Sequence, residues 1–285
     1  MDRVAVAPIA ATDLDRVGEF LHKNLNDRIS AVDWARNARV PWSVDTPNHG
    51  FMLLDENNIA GVYLAFYSTR TIQGQTERFC NLGAWCVSPK HRLHSLQLLR
   101  ALLRQPGYHF TDLSPSGNTV PINERLKFTH LDTTTVLMPN LPWPSWPGRH
   151  KVSLERATIE RVLTGRELQI YRDHQHALAA NHMVMALGDE QCYVIFRRDR
   201  RKNLPLFASV LYASNPLLFR RMAGIFGRHL LVHHRVPMTL MELRIIGGQP
   251  AGSFLLRSSR PKMFKSDSLQ PDQIDNLYSE LTCVP

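Results

Sequence analysis

Apolar residues recur at helical spacing near the start of the chain. Leu14, Val17, Phe20 and Leu21 stand three or four positions apart and follow Asp13, a residue type that favours helix starts. A second stretch repeats the pattern and stops before a proline. These patterns predict helices over residues 13–24 and 30–38.

From Gly50 the pattern changes to alternation and to residues with high β propensity. Turn residues at 55–58 separate two such runs, which is typical of a β-hairpin. A third run ends before Pro89, and Leu96, Leu99 and Leu103 then return to helical spacing. The pattern predicts strands over 51–54, 61–67, 78–87, 108–113 and 131–138, and helices over 93–103 and 121–126.

The second half repeats the order of elements in the first. Helices are predicted over 153–159, 165–180 and 216–233, and strands over 192–198, 206–213 and 238–246. A proline- and tryptophan-rich stretch separates the halves and is too rich in proline for a regular element. The sequence therefore predicts an α/β (α+β) protein with a domain at 1–138, a linker at 139–150 and a second α/β domain at 151–285.

Composition excludes some classes of protein and leaves others open. The apolar runs are far shorter than the roughly 18 residues that span a bilayer, and the first residues lack a secretory signal pattern, so we expect a cytoplasmic protein. The four cysteines have no spacing typical of zinc or dithiol sites, and no metal is expected. The formal charge of +9 indicates an anionic partner, such as nucleic acid or a phosphorylated cofactor.

One stretch combines a strand, a proline, a basic loop and an apolar helix: residues 81–99, NLGAWCVSPKHRLHSLQLL. It resembles the central motif of the GCN5-related N-acetyltransferase superfamily. A loop that opens a helix presents free backbone N–H groups and the positive end of the helix dipole, which together bind a pyrophosphate. Arg92 fits the basic position of the family loop, whereas Ser95 and Gln97 replace its glycines and Leu93 replaces a third.

A second stretch, residues 122–128, resembles the closing helix of the same family. Leu126 and Phe128 match the pattern, whereas Lys127 replaces a glycine and Asn123 replaces the tyrosine that protonates the departing thiolate in many members. These two motifs carry a resemblance that covers residues 1–138 by the order of the elements. They imply a mixed central sheet flanked by helices, with a second domain of the same kind as a hypothesis from element order.

The resemblance also implies a mechanism and a set of site residues. Such enzymes attack an acyl-coenzyme A thioester with an amine or hydroxyl, where two neighbouring strands part. Many relatives carry a glutamate base at the position of Asn81, and Glu77 and Asp112 are the nearby candidates for activating a nucleophile. The residues that we expect to bind acetyl- or another acyl-coenzyme A are Cys86, Val87, Arg92, Leu93, His94, Ser95, Leu96 and Asn123.

Other interpretations of these residues stay open. Asp112 precedes a Ser/Pro/Gly/Asn loop that its side chain could organise. His233 and His234 are expected to compensate a helix dipole, and the basic run at 197–202 is expected to be a solvated hairpin tip. The acceptor, a small molecule or a polymer, is not specified. The alternatives to acyl transfer are a non-catalytic binding or scaffold protein and a transferase that uses aminoacyl-tRNA.

Overall fold

A computed structural model describes residues 4–142, 150–201 and 204–285. The chain divides into two compact units. The first comprises residues 1–131, 261–274 and 278–284, and the second comprises residues 132–260, 275–277 and 285.

The first unit is a mixed sheet with helices on both faces. Its strands are β1 (Val4–Pro8), β2 (Gly50–Asp55), β3 (Asn58–Ile72), β4 (Gln75–Val87), β5 (His109–Asp112), β6 (Thr129–His130) and β14 (Met263–Lys265). Its helices are α1 (Leu14–Asn24), α2 (Ala31–Ala38), α3 (Ser95–Leu103), α4 (Val120–Arg125) and α9 (Glu280–Cys283), with 3₁₀ helices at Ala11–Asp13, Pro89–His94 and Pro271–Gln273. Helices α1 and α2 pack on one face through Leu14, Val17 and Trp34, and α3 packs on the other through Leu98, Leu99 and Leu102.

The second unit has the same kinds of element. Its strands are β7 (Thr135–Pro139), β8 (His150–Ser153), β9 (Asn181–Leu187), β10 (Glu190–Arg201), β11 (Leu204–Ala213), β12 (Met238–Glu242) and β13 (Phe254–Leu255). Its helices are α5 (Arg156–Val162), α6 (Gly165–His174), α7 (Pro216–His234) and α8 (Leu243–Ile246). The apolar stripe Phe219, Met222, Phe226 and Leu230 of α7 packs into its core.

The two sheets have equivalent strand orders. Within the described residues the first runs β1-β2-β3-β4-β5-β14-β6 and the second runs β8-β9-β10-β11-β12-β7-β13. In each sheet only the fourth and fifth strands pair in parallel, β4 with β5 and β11 with β12. Each sheet also takes its sixth strand from the other half of the chain: β14 in the first sheet and β7 in the second. The predicted mixed sheets flanked by helices are thus confirmed.

Most predicted elements are present, and several of their bounds differ from the prediction. Residues 93–94 belong to the 3₁₀ helix Pro89–His94 instead of the predicted α-helix. The predicted strand over 238–246 ends at Glu242, because residues 243–246 form α8. The strand predicted over 131–138 begins at Thr135 and joins the second sheet, so the contiguous first domain 1–138 differs from the first unit. Residues 143–149 of the predicted linker and Lys202 of the basic run lie outside the described residues, and the linker stays a prediction.

Candidate functional site

Strands β4 and β5 part in the middle of the first sheet. Their parallel ladder joins Phe79, Cys80 and Asn81 to residues 109–111 and ends there. On its other side β4 continues to pair with β3 as far as Val87, across a bulge in which Ala84 is the extra residue with φ of 55°. Backbone with positive φ is strained for alanine and turns the strand sharply. The sheet is therefore open beyond Asn81, next to the bulge.

A carboxyl group from the end of the described chain lies at this opening. The backbone N–H of Glu280 donates to Asn81 Oδ1 at 2.9 Å, and Ser114 Oγ donates to Glu280 Oε1 at 2.8 Å. Asn81 in turn donates from Nδ2 to the carbonyl and hydroxyl oxygens of Thr111, at 3.3 and 3.1 Å. Asn81 thus ties the start of α9 to the two parting strands.

Gly83 makes room for Glu280. A Cβ at position 83 would lie 2.9 Å from the Cβ of Glu280 and 2.9 Å from Phe66 Cε2. Contacts this short do not occur between unstrained carbon atoms. A larger residue at position 83 would displace the glutamate, so this glycine is required by packing.

Asp112 brings a second buried carboxyl group to the same place. It ends β5, and Asn123 of α4 donates from Nδ2 to Asp112 Oδ2 at 2.8 Å. Both side chains are buried. The predicted catalytic residues Asn81 and Asp112 and the predicted cofactor residue Asn123 therefore lie in one polar cluster, together with Ser114 and Glu280.

Burial keeps both carboxyl groups partly protonated near neutral pH. Loss of solvent raises the pKa of Asp112 to about 6, against hydrogen bonds from Asn123 and the backbone of Ser114. Burial and then the charge of Asp112 raise the pKa of Glu280 to about 7, and the charge of Lys262 opposes this rise. A carboxyl group with a pKa near 7 has the value best suited to moving protons at neutral pH.

Three buried polar atoms around this opening have no hydrogen-bond partner within the described residues. They are Glu280 Oε2, Asn123 Oδ1 and the indole Nε1 of Trp85. Trp85 follows the bulge and stacks on Tyr63, with ring centroids 4.7 Å apart. Unsatisfied buried polar atoms are rare in folded proteins, and a bound ligand is one common explanation. These atoms supply one donor, one acceptor and one titratable group.

The predicted phosphate loop is wound into the 3₁₀ helix that precedes α3. Arg92 and Leu93 are exposed, Leu93 at 96%, and no side chain caps the N-terminus of α3. His94 contacts Gln97 at 3.1 Å. Both ring nitrogens of His91 have partners in the fold, since Nδ1 contacts Ser88 at 2.8 Å and Nε2 contacts Asp55 at 3.0 Å. The Arg92 side chain is thus exposed to an anion, and no side chain caps α3, although the backbone N–H of Ser95 already donates to the carbonyl of Arg92.

The remaining predicted residues are spread over β4 and the start of α3. Glu77 contacts His109 Nε2 at 2.9 Å, and the other ring nitrogen of His109 contacts Ser266, so the structure gives Glu77 a partner outside the cluster. Cys86 and Val87 lie on β4 beyond the bulge, where they pair with β3. Ser95 is half-buried at the start of α3, and Leu96 is 40% exposed. Their binding roles stay predictions.

Sequence reasoning missed Glu280. Its neighbours carry no motif, and its role depends on a return of the chain across 199 positions from Asn81. The one available signal was the asparagine at position 81, where the family often has glutamate. A missing carboxylate suggests a search for a replacement elsewhere in the chain.

Three further properties of the described residues concern metal ions, membranes and thiols. In the described part of the chain, no three His, Cys, Asp or Glu side chains are placed to hold a metal ion. The same residues contain no helix that is both long and apolar enough to cross a bilayer. All four cysteines are buried free thiols, and burial raises the pKa of Cys86.

Comparison with known proteins supports the fold. No protein-family model matches the chain, and no curated protein matches it in sequence. Among solved structures, it is similar to a probable N-acyltransferase of Enterococcus faecalis V583, with 12% identity, 92% of this chain and 71% of that chain covered, and a TM-score of 0.59. A GCN5-related N-acetyltransferase of Anabaena variabilis gives 12% identity, 92% and 72% coverage, and a TM-score of 0.56.

A third structure, N-myristoyltransferase of Saccharomyces cerevisiae with bound myristoyl-CoA, matches at 10% identity, 98% and 84% coverage, and a TM-score of 0.50. The chain therefore has the GCN5-related N-acetyltransferase fold, in a divergent form with two such sheets. At this level of identity the likeness concerns the fold, and function has to be argued from the site.

Proposed function

We propose that this protein transfers an acyl group from acyl-coenzyme A to an amine or hydroxyl acceptor, and that the first unit carries the reaction. The observation that carries the proposal is the set of unsatisfied buried polar atoms on Glu280, Asn123 and Trp85 beside the opening between β4 and β5. The fold supports it, because the similar structures include acyltransferases.

The opening accounts for donor binding. The thioester arm would lie along the β4 backbone beyond Asn81 and pair with it as an added strand. The diphosphate would meet the uncapped start of α3 and the exposed Arg92. The donor is acetyl- or another acyl-coenzyme A, and Leu93 and Leu96 offer apolar surface beside its path.

Glu280 is the proposed general base. Its Oε1 is fixed by Ser114 and its Oε2 is unsatisfied, so one oxygen is positioned and the other is available to an acceptor proton. When ionised, Glu280 would take the proton from the attacking amine or hydroxyl as the new C–N or C–O bond forms and the thiolate departs. Asp112, with its raised pKa, is the candidate that returns a proton to the thiolate.

The test of donor binding is the melting temperature with acetyl-CoA and longer acyl-CoA thioesters. We expect a rise, because a ligand that binds only the folded state stabilises it. Arg92→Ala with Ser95→Glu should remove the rise. Arg104→Ala with Ser268→Glu changes the same charges at exposed positions of the same unit and should keep it.

The outcomes separate the candidate functions. No rise with any acyl-CoA thioester would overturn the proposal. A rise without release of free thiol in the presence of a broad amine and alcohol panel would favour the non-catalytic alternative. That alternative is supported by the 3₁₀ helix in place of the phosphate loop and by the missing tyrosine.

A further inference from the structure

A separate cavity lies in the second unit, between the last turns of α7 and strand β8. It has a volume of about 190 Å³ and is lined by His150, Val152, Ile225, Arg228, His229, Val232 and His233. The helical residues follow the pattern i, i+3, i+4, i+7 and i+8, so they share one face of α7. This volume holds several water-sized bodies of about 30 Å³ each and is below the roughly 300 Å³ of a drug-sized site. The cavity therefore suits a small ligand or one group of a larger ligand.

The charged side chains that line the cavity are all basic. Arg228 carries a permanent positive charge, and His150, His229 and His233 gain one when protonated. None of the lining residues is acidic, and the other three are aliphatic. A concave surface with cationic groups and apolar walls concentrates anions.

The imidazole rings are crowded together on α7. The ring centroids of His229 and His233 are 4.3 Å apart, and those of His229 and His234 are 5.9 Å apart. Burial and then the positive charges of His233, His234 and Arg228 lower the pKa of His229 to about 4. The positive charges thus oppose protonation of His229, and a bound anion would favour it.

We propose that this cavity binds a phosphate- or sulfate-sized oxyanion, either free or as one group of a larger ligand. The proposal does not depend on acyl transfer, because it concerns residues of the second unit alone. Metal binding is the competing chemistry, since His229 and His233 have a spacing that can chelate a metal. Within the described residues no third ligand joins them, and Arg228 would repel a cation.

Binding should be coupled to proton uptake. An anion binds the protonated imidazoles better than the neutral ones, so it raises their pKa and its affinity increases as the pH falls. Among the described residues, those that line the cavity or shift the pKa of His229 or His234 include Arg228, His233 and His234 on α7, His150 on β8 and Arg198 on β10. Burial and then the charge of Arg198 lower the pKa of His234, so Arg198 adds to the same effect.

The experiment is calorimetric titration of the full chain with inorganic sulfate at about pH 6 and about pH 8, because sulfate keeps its charge over a range in which histidine titrates. We expect binding that is severalfold tighter at the lower pH, and a similar result with inorganic phosphate at the lower pH. The ring signals of His229 and His233 should shift on binding in the nuclear magnetic resonance spectrum, and the signal of His229 should titrate at higher pH than in the free protein.

A matched pair of variants localises the site. Arg228→Gln with His233→Ala should weaken binding at least about tenfold. Arg172→Gln with His176→Ala removes the same residue types from exposed positions of the second unit and should leave binding unchanged. Absence of binding at both pH values, equal affinity at both, equal loss in both variants, or binding of Zn²⁺ in place of sulfate would each overturn the proposal. The melting temperature of each variant checks that it is folded.

Discussion

The two units share a strand order and differ at the end of the fourth strand, where we propose that the first unit binds its donor. In each unit a bulge interrupts the fourth strand, at Ala84 in β4 and at Leu211 in β11, and a helix follows that strand. In the second unit Asn215 caps that helix, accepting from the N–H of Leu218 at 3.0 Å. In the first unit no side chain caps α3. No side chain therefore covers the positive end of the α3 dipole in the first unit, whereas Asn215 covers that of α7 in the second.

The acidic groups at the two strand ends differ in the same way. Glu242 ends β12 and contacts Arg244 Nε at 2.7 Å, so its charge is neutralised within the fold. Asp112 ends β5 and is held by the neutral Asn123, beside the second buried carboxyl group of Glu280. One scaffold thus supports an ion-paired carboxylate in one unit and a pair of buried, titratable carboxyl groups in the other. Functional sites are expected where buried polar groups lack hydrogen-bond partners or opposite charges.

The largest expected effect is on catalysis. Glu280→Gln should lower the rate of acyl transfer by about 10²–10⁴-fold, the range of general base catalysis, and should leave the melting-temperature rise with acyl-CoA in place. Glu242→Gln, at the strand end of the second unit, should keep the rate. Thiol release with the acceptor that reacts best measures both. A Glu280→Gln rate equal to that of the unchanged protein would remove Glu280 from the mechanism.

The next effect is on stability as a function of pH. The pKa of Glu280 rises from 4.5 to about 7 on folding, so the folded state binds the proton more tightly than the unfolded state. The stabilisation that this proton gives is present at low pH and is lost as the pH rises through about 7. The free energy of unfolding should fall by on the order of 2–3 kcal/mol between about pH 5 and about pH 8 from this group.

Chemical denaturation at several pH values checks this prediction. Glu280→Gln should flatten the fall, whereas Glu19→Gln, an exposed acid on α1, should not. The same slope in the unchanged protein and in Glu280→Gln would mean that the carboxyl group titrates normally.

A smaller effect on stability is expected where a side chain replaces a glycine that packs against a polar residue. Gly83→Ala should cost about 2 kcal/mol of stability and displace Glu280. Gly227→Ala in the second unit should also destabilise, because the added Cβ would lie 2.6 Å from Asn140 Oδ1, but it should not change the rate of acyl transfer. Gly117→Ala, with open space around the position, is the control. Denaturation curves measure the stability of each variant, and thiol release measures its activity. Full activity in Gly83→Ala would contradict the proposed position of Glu280.

Local patterns predicted the sheets, the helices that cover them and part of the site. Asn81, Asp112 and Asn123 were accessible because each lies in or beside a motif with a fixed position in the fold. Glu280 and β14 were not, since both belong to the return of the chain after residue 260, where short apolar runs show no periodicity. Strand β7 was predicted, but its exchange into the second sheet depends on long-range pairing with Met238–Glu242 that no local pattern encodes.

The smallest expected effect tests the capping difference itself. Asn215→Ala removes the cap of α7 and should cost about 1 kcal/mol of stability, and Asn215→Ser, which keeps a hydroxyl acceptor, should recover most of it. Neither change should alter the melting-temperature rise with acyl-CoA, because the donor is expected at α3. If Asn215→Ala instead increased that rise, the second unit would also accept an anion once its cap is removed. The side chain of Asn215 would then be what prevents an anion from binding at the start of α7.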